Sequence, residues 1–464
     1  LLWVYSLNSV KHSSKKYKIN MTVKLNNNLN KLSATQLLVM LDEKQITSNE
    51  IIADCLKRIR LRNPDLNAWK FLDEDIINIQ LEEYASSKPK SVLSGIPMAI
   101  KDNFDTKDMP TEYGTYIYTD FQPKTDSKAV ELLRKAGVLF LGKTITSEFA
   151  GPYPGPTLNP HDLSRTPGVS SMGSAASVAD FMAPMANGTQ TGGSIIRPAS
   201  LCGIYGYKGS FNHITGAGIK HIKPSIDTVG HFARCIEDIE LLRQILCSDI
   251  EIQKFDEIKL PRKIGICRTS SWHASSLDTQ NAIDKTIEVF KFTNCNVIKI
   301  TLPEEFDKVM ERAFQVIYSW ELRNAHSVEI DAHFDKFNPW FKWAIKYLQD
   351  VTFEDYKEAL REAEHTRDIL KKIFAEVDII ITPSAIGEAP TDLLEIPKYS
   401  FNHLWTLMYV PCVNLPFYLG TNGLPIGIQV IGARNTDAQL LGYCKAVENQ
   451  MVNYFGAIPV SVLK

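Results

Sequence analysis

The sequence has almost no excess of either charge. Its 51 basic and 53 acidic side chains leave a net charge of −2 over 464 residues. Nucleic acid and anionic membranes are held by basic excess, so neither partner is indicated. Long hydrophobic runs are also missing, and none approaches the roughly 18 to 20 residues of a membrane span. The eight cysteines (Cys55, Cys202, Cys235, Cys247, Cys267, Cys295, Cys412 and Cys444) include no C-x-x-C pair. That spacing indicates neither a zinc cage nor a dithiol redox motif. Most cysteines sit among apolar neighbours and read as small core residues, in keeping with a reducing cytosol. The ten histidines show no H-x-x-x-H spacing, so neither a metal nor a cofactor is expected. There is no G-x-S-x-G elbow, which weakens an ordinary Ser-His-Asp hydrolase. No tandem repeat or low-complexity tract is present.

What remains is the composition of an ordinary globular protein, 44% hydrophobic and 22% charged. Residues 1–20 stand apart. An apolar LLWVYSL precedes a basic SVKHSSKKYK, the reverse of a signal peptide, and Met21 is the first methionine. They read as a disordered tail or a non-native leader. Ser33-Ala-Thr-Gln36 and Thr47-Ser-Asn-Glu50 are capping-box patterns, each followed by apolar residues at helical spacing. Asn63-Pro64 is expected to end the second helix. Gly95 to Lys101 reads as a buried strand, 127–136 as a helix, 138–141 as a strand and 174–183 as a helix. Pro184 to Asn187 is expected to run extended into a turn from Gly188 to Ser194. Residues 250–262 read as a polar surface connection, and 302–375 as a long helical, aromatic-rich region. Strands are expected over 377–382 and 425–431, with a closing helix over 437–448. This alternation predicts an α/β fold with a buried sheet.

The chain is organised around Thr166 to Pro198. Ser170 and Ser171 sit together near its start, and Ser194 ends a Gly-Gly-Ser turn. Upstream, Lys101 follows the apolar Met98, Ala99 and Ile100. A glycine-flanked serine with a lysine beside buried apolar residues points to a serine nucleophile whose base is not histidine. Burial disfavours the ammonium form, which would let Lys101 accept a proton. The backbone N–H groups of Thr191, Gly192, Gly193 and Ser194 could form an oxyanion hole.

These segments resemble the amidase signature family. The likeness runs from about Leu32 to Gln450 through GIPMAIKDN (95–103), EYGT (112–115), LRKAGVLFLGKT (133–144), EFA (148–150) and the serine-rich stretch. It continues through CGIYGYKGS (202–210), SIDTVGHFAR (225–234), FNHLWTLMYVPCVNLP (401–416) and GLPIGIQVIGAR (423–434). The resemblance implies one domain around a mixed, twisted β-sheet covered by helices on both faces. Within 21–464 it implies a helical lead-in (21–90), a catalytic core (91–250), a helical substrate-facing region (251–375) and C-terminal strands and helix (376–464). It also implies a Ser–Ser–Lys triad hydrolysing a carboxamide, with Ser194 as nucleophile, Ser170 as bridging serine after a cis Val169–Ser170 bond, and Lys101 as base. Ser171, Asp102, Gln190 and Arg197 are expected to support these groups. Val169 and Met172 replace smaller residues of the family pattern. Gln190 and Arg197 match a variant of the form Q-T-x-G-S followed by two apolar residues and R-P.

The partner expected is a small-molecule amide, with no direct nucleic-acid or membrane contact; a homodimer is compatible with the sequence. Two other readings stay open. One is a glutamine-using amidotransferase component of the kind that serves tRNA charging. The other is a non-catalytic binding protein of the same fold.

Overall fold

The computed structural model describes residues 28–87, 91–247, 255, 259–347, 350–396 and 398–456. The leader at 1–20 and most of the connection at 250–262 lie outside the described residues.

Among the described residues eleven strands form a single sheet: β1 (Trp69–Leu72), β2 (Pro97–Lys101), β3 (Leu139–Thr144), β4 (Met185–Gln190), β5 (Tyr205–Lys208), β6 (Thr228–Ala233), β7 (Lys263–Cys267), β8 (Asn296–Ile300), β9 (Ile379–Pro383), β10 (Cys412–Leu419) and β11 (Pro425–Ile431). Their spatial order is β1-β3-β2-β4-β6-β5-β10-β11-β9-β7-β8. The sheet is mixed. β3, β2 and β4 are mutually parallel, as are β9, β7 and β8, and the strands between β4 and β9 pair antiparallel. Strands covered on both faces read as continuous apolar runs rather than alternations. Every residue of β2, β4, β9 and β11 is buried, which is why Met98-Ala99-Ile100 and the Ile379–Ile381 run signal strands so clearly.

The helices pack around this sheet, and one core cluster reaches from Ala34 to Met451 through nearly every strand. Both capping boxes form. Ser33 Oγ accepts from Gln36 N, and Thr47 Oγ1 accepts from Glu50 N. Pro64 does not end the second helix. That helix runs Ser48–Leu66, and Asn67 closes it in the left-handed region at φ 52°, donating its N–H to Asn63 O. A proline in the last turn leaves the remaining turn to be closed by the cap.

Other boundaries differ from expectation by a few residues. The strand expected at 138–141 runs to Thr144. The turn expected from Gly188 begins only after Gln190, because Gly188 and Thr189 pair with Gly230 and Val229 inside the sheet. The helix expected at 174–183 runs from Met172 to Ala179, starting two residues early and ending four residues early. All eight of its residues are buried. A Cβ at Gly173 would lie 2.3 Å from Ala68 O, so the helix needs its small residues to lie this close to its neighbours. The closing helix continues to Phe455. The aromatic region divides between core and surface. Phe337 and Phe341 pack with Phe149 in a satellite core, whereas Trp343 and Tyr347 stack on the surface with centroids 5.0 Å apart.

Candidate active site

The C-terminal ends of the parallel strands β2, β3 and β4 meet at one place. Open α/β sheets generally present functional groups at the carboxyl ends of their strands. Lys101 is the last residue of β2 and is wholly buried. Its backbone N–H donates to Asn187 Oδ1 on β4 at 2.7 Å, which locks the strand end in register. Its Nζ lies 3.0 Å from Ser170 Oγ, 2.9 Å from Ser171 Oγ and 2.8 Å from Thr189 Oγ1. No carboxylate among the described residues touches it. Burial therefore dominates, and pushes Lys101 down to about 7, with Asp227 opposing the shift from a distance.

The proton inventory around Nζ separates the three hydroxyls. Ser171 donates to Thr189 O at 3.3 Å, so it receives from Lys101. Thr189 Oγ1 also accepts from Asn103 Nδ2 at 3.1 Å. Ser170 Oγ has no other hydrogen bond among the described residues, so its proton is free to point at the lone pair of a neutral amine. The Val169–Ser170 peptide is cis.

Ser194 lies on the wall of a cavity of about 1000 Å³ that Thr191, Gly192, Gly193 and Arg197 also line. Its hydroxyl makes no hydrogen bond among the described residues. The structure thus joins Lys101 to Ser170 directly and sets Ser194 at the cavity surface.

The turn bearing Ser194 is held by side chains. Gln190 Oε1 accepts from the N–H groups of Ile195 and Ile196 at 2.9 and 3.0 Å, and its Nε2 donates to Thr406 Oγ1 at 3.0 Å. Thr406 in turn donates to Gly192 O at 3.0 Å. An aspartate at 190 could accept but not donate, so an amide fits this position next to Thr406. Gly192 and Gly193 are not in the left-handed region. Their need is space. A Cβ on Gly192 would sit 2.3 Å from His403 Nε2, and one on Gly193 would sit 2.7 Å from Asn402 Nδ2. The N–H groups of Gly192, Gly193 and Ser194 donate to nothing else among the described residues, which leaves them available to an oxyanion. Thr191 donates its hydroxyl to Asp227. Burial would raise the Asp227 carboxyl, but His221, Lys223 and that hydroxyl hold it below the usual carboxylate range.

The remaining expected residues sort by contact. Arg197 Nη2 donates to Val169 O at 3.2 Å, which ties down the carbonyl of the cis peptide; burial pushes Arg197 down to about 10. Ser171 belongs in contact with Lys101 and caps no helix, since the helix starting at Met172 takes no hydrogen bond from its side chain. Asp102 points away from Lys101. It pairs with buried Lys143 at 3.2 Å and accepts from Glu112 N. Met172 fills space against Gly155, where a Cβ would meet its Sδ at 2.8 Å. Cys202 is buried and its thiol is pushed far up by desolvation, which suits packing rather than attack. Among the described residues no three His, Cys, Asp or Glu side chains gather as metal ligands, and no helix is long and apolar enough to cross a membrane.

Sequence reasoning did not single out Thr189, Asn187, Thr406 or His403 as site residues. Thr189 sits inside the expected turn, and only its strand assignment points it at Lys101. Thr406 and His403 lie in the 401–416 block, far along the chain, with no local pattern to mark them.

A family model described as Amidase matches residues 50–441. The A-type component of glutamyl-tRNA(Gln) amidotransferase from Nitrosomonas eutropha is 28% identical over 460 residues, covering 88% of this chain and 95% of that protein. A solved structure described as an amidase is 28% identical with a TM-score of 0.81, covering 89% of this chain and 99% of that one. A 6-aminohexanoate cyclic dimer hydrolase solved with its substrate shares the fold at a TM-score of 0.82 and 18% identity, covering 91% and 97%.

Proposed function

This chain belongs to the amidase family, enzymes acting on carbon–nitrogen bonds other than peptide bonds, and we propose that it hydrolyses a small-molecule carboxamide through an acyl-enzyme on Ser194. The observation that carries this reading is the contact of a buried, carboxylate-free Lys101 with Ser170, in a site whose cavity is lined by Ser194. Ser194 Oγ attacks the amide carbonyl, and its proton passes to Ser170 as Ser170 passes its own to Lys101 Nζ. The N–H groups of Gly192, Gly193 and Ser194 receive the developing oxyanion, a contribution of about 3 to 4 kcal/mol per donor in comparable sites. Lys101 returns the proton through Ser170 to the leaving nitrogen, and the C–N bond breaks. Water repeats the sequence on the ester, releasing the acid and restoring Ser194. All eight cysteines are free, which fits a cytoplasmic site of action.

The test is intact mass and peptide mapping after exposure to a fluorophosphonate. A single adduct on Ser194, absent in Ser194→Ala, is expected. An adduct elsewhere, or an unaltered rate of amide hydrolysis in Ser194→Ala, overturns the assignment.

The amidotransferase relatives favour a second reading, in which the same groups release ammonia from glutamine for a partner protein. Turnover of glutamine that appears only in a co-purified complex supports it. Hydrolysis of simple amides by the isolated chain favours the first.

A further inference from the structure

Lys223 is a buried lysine on the wall of this cavity, and the proposed hydrolysis gives it no task. It is 1% exposed, and it lines the same cavity wall as Ser194 and Gly192. Its Nζ stands 3.1 Å from the centroid of the Tyr318 ring. Its Nζ makes no hydrogen bond or ion pair with any described residue. The two carboxylates nearest in charge are committed elsewhere. Asp227 accepts from Ile222 N, Lys223 N and the Thr191 hydroxyl. Glu321 accepts from Tyr356 Oη at 2.6 Å and Ser225 N at 3.0 Å. An ammonium desolvated this far without a counter-charge is costly, and burial pushes Lys223 well below the ordinary lysine value against both carboxylates. The aromatic face beneath it recovers part of that cost but supplies no hydrogen-bond acceptor. Four further basic side chains line the cavity against two acidic ones, Asp307 and Glu311. The wall around the nucleophile therefore carries more basic than acidic side chains, and Lys223 is its one buried amine without a hydrogen-bond or ion-pair partner among the described residues.

We propose that Lys223 anchors a carboxylate of the substrate, so that the preferred amides carry an anionic group on the part of the molecule held in this cavity. This rests on the reading of Ser194 as nucleophile. The anion supplies the counter-charge that Asp227 and Glu321 withhold, while the Tyr318 ring backs the Lys223 Nζ from its other side. The uncharged stretch between carboxylate and amide then runs along the Trp340 and Phe314 side of the wall.

The experiment compares matched amides on the wild-type protein: succinamate, glutaramate and adipamate against butyramide, valeramide and hexanamide. At least one acid is expected to exceed its neutral match by about tenfold or more in kcat/KM, as for a charge meeting a buried partner, with the difference carried by KM. Lys223→Met is expected to erase that ratio and Lys223→Arg to keep part of it. Equal or better turnover of the neutral amide at every length overturns the proposal, as does a ratio that survives in Lys223→Met.

Glutarate supplies a readout without catalysis. It is expected to raise the Tm of the wild-type protein, with succinate and adipate as length variants, and to lose that effect in Lys223→Met. If no amide turns over, absence of any such rise overturns the proposal. Fluorophosphonate labelling separates the two claims. An unlabelled Ser194 with a glutarate-stabilised protein overturns the nucleophile and keeps the anion site. A labelled Ser194 that discriminates against no neutral amide does the reverse.

Discussion

Lys101 and Lys143 lie near the ends of adjacent parallel strands, both wholly buried, yet their surroundings are opposite. Lys101 meets three hydroxyls and no carboxylate. Lys143 meets the Asp102 carboxylate at 3.2 Å, the carbonyl oxygens of Phe104 and Pro110, and the Thr111 hydroxyl at 2.5 Å. Burial pushes both ammonium groups down, but around Lys143 three aspartates, Asp102, Asp105 and Asp108, push back. Around Lys101 only the more distant Asp227 does. Depth alone thus makes no base. A buried lysine becomes a proton acceptor where polar neighbours can orient its lone pair without pinning its charge. Where a carboxylate completes the pair, the same residue becomes a structural cross-link, here between β3 and the loop after β2.

The sharpest way to break the comparison is to delete each lysine. Lys101→Met is expected to cut kcat by about a thousandfold or more, as the loss of a general base does. Retained turnover would place the base elsewhere. The same variant carries a stability signature. The folded value of Lys101, about 7, lies below its unfolded value of 10.5, so the wild-type fold holds a penalised charge most fully below pH 7. That penalty fades as pH rises toward the unfolded value. The Tm of the variant minus that of the wild type should therefore fall between pH 6 and pH 9, as read by calorimetry.

Lys143→Met should do the opposite. It strands a buried Asp102 and is expected to destabilise by about 3 to 5 kcal/mol in denaturant titration. Each molecule that remains folded should still label at Ser194. The double variant Lys143→Met with Asp102→Asn should recover part of the loss, because no bare carboxylate is then left behind. A double variant no more stable than the single one would show that Asp102 is not the reason.

A third effect is gentler. If Lys101 acts as the neutral base, kcat/KM should rise about tenfold per pH unit on the acidic side and flatten above about 7, the value burial sets for it. A profile flat from pH 5 to pH 9 would contradict it. The smallest change expected is from Ser171→Ala. It removes one 2.9 Å hydrogen bond from Lys101 Nζ while leaving Ser170 and Thr189 in place, a loss of about 1 kcal/mol or roughly fivefold in kcat/KM. A loss as large as that of Lys101→Met would make Ser171 a relay in its own right.

Much of this was legible before any coordinates. The buried runs at 97–101, 379–383 and 425–431 announced strands because both faces are covered, and the two capping boxes announced helix starts because their chemistry is local. Lys101, Ser170, Ser171 and Ser194 stood out because small residues crowd around the serines and apolar ones precede the lysine. Thr189 was hidden inside an expected turn, since glycine at 188 reads as a break when nothing shows that Gly230 pairs with it. Lys223 and His403 carried no signal as site residues, and Tyr318 carried only that of the aromatic-rich region at 302–375. They come from separate segments, and no spacing along the chain reports a distance across a cavity.

The amino-acid sequence by itself determined the family, the α/β class, the candidates for nucleophile and base, and the weak net charge. Those are properties of composition, local pattern and ordered motifs. Only the tertiary structure decided which buried lysine meets hydroxyls alone and which meets a carboxylate, that Asp102 turns toward Lys143, and that the Lys223 amine faces Ser194's cavity unpaired. Solvation and Coulomb energy depend on what lies within a few ångströms in space, and three of the groups that set them here, Asp227, Tyr318 and Thr189, lie far from Lys101 in the chain.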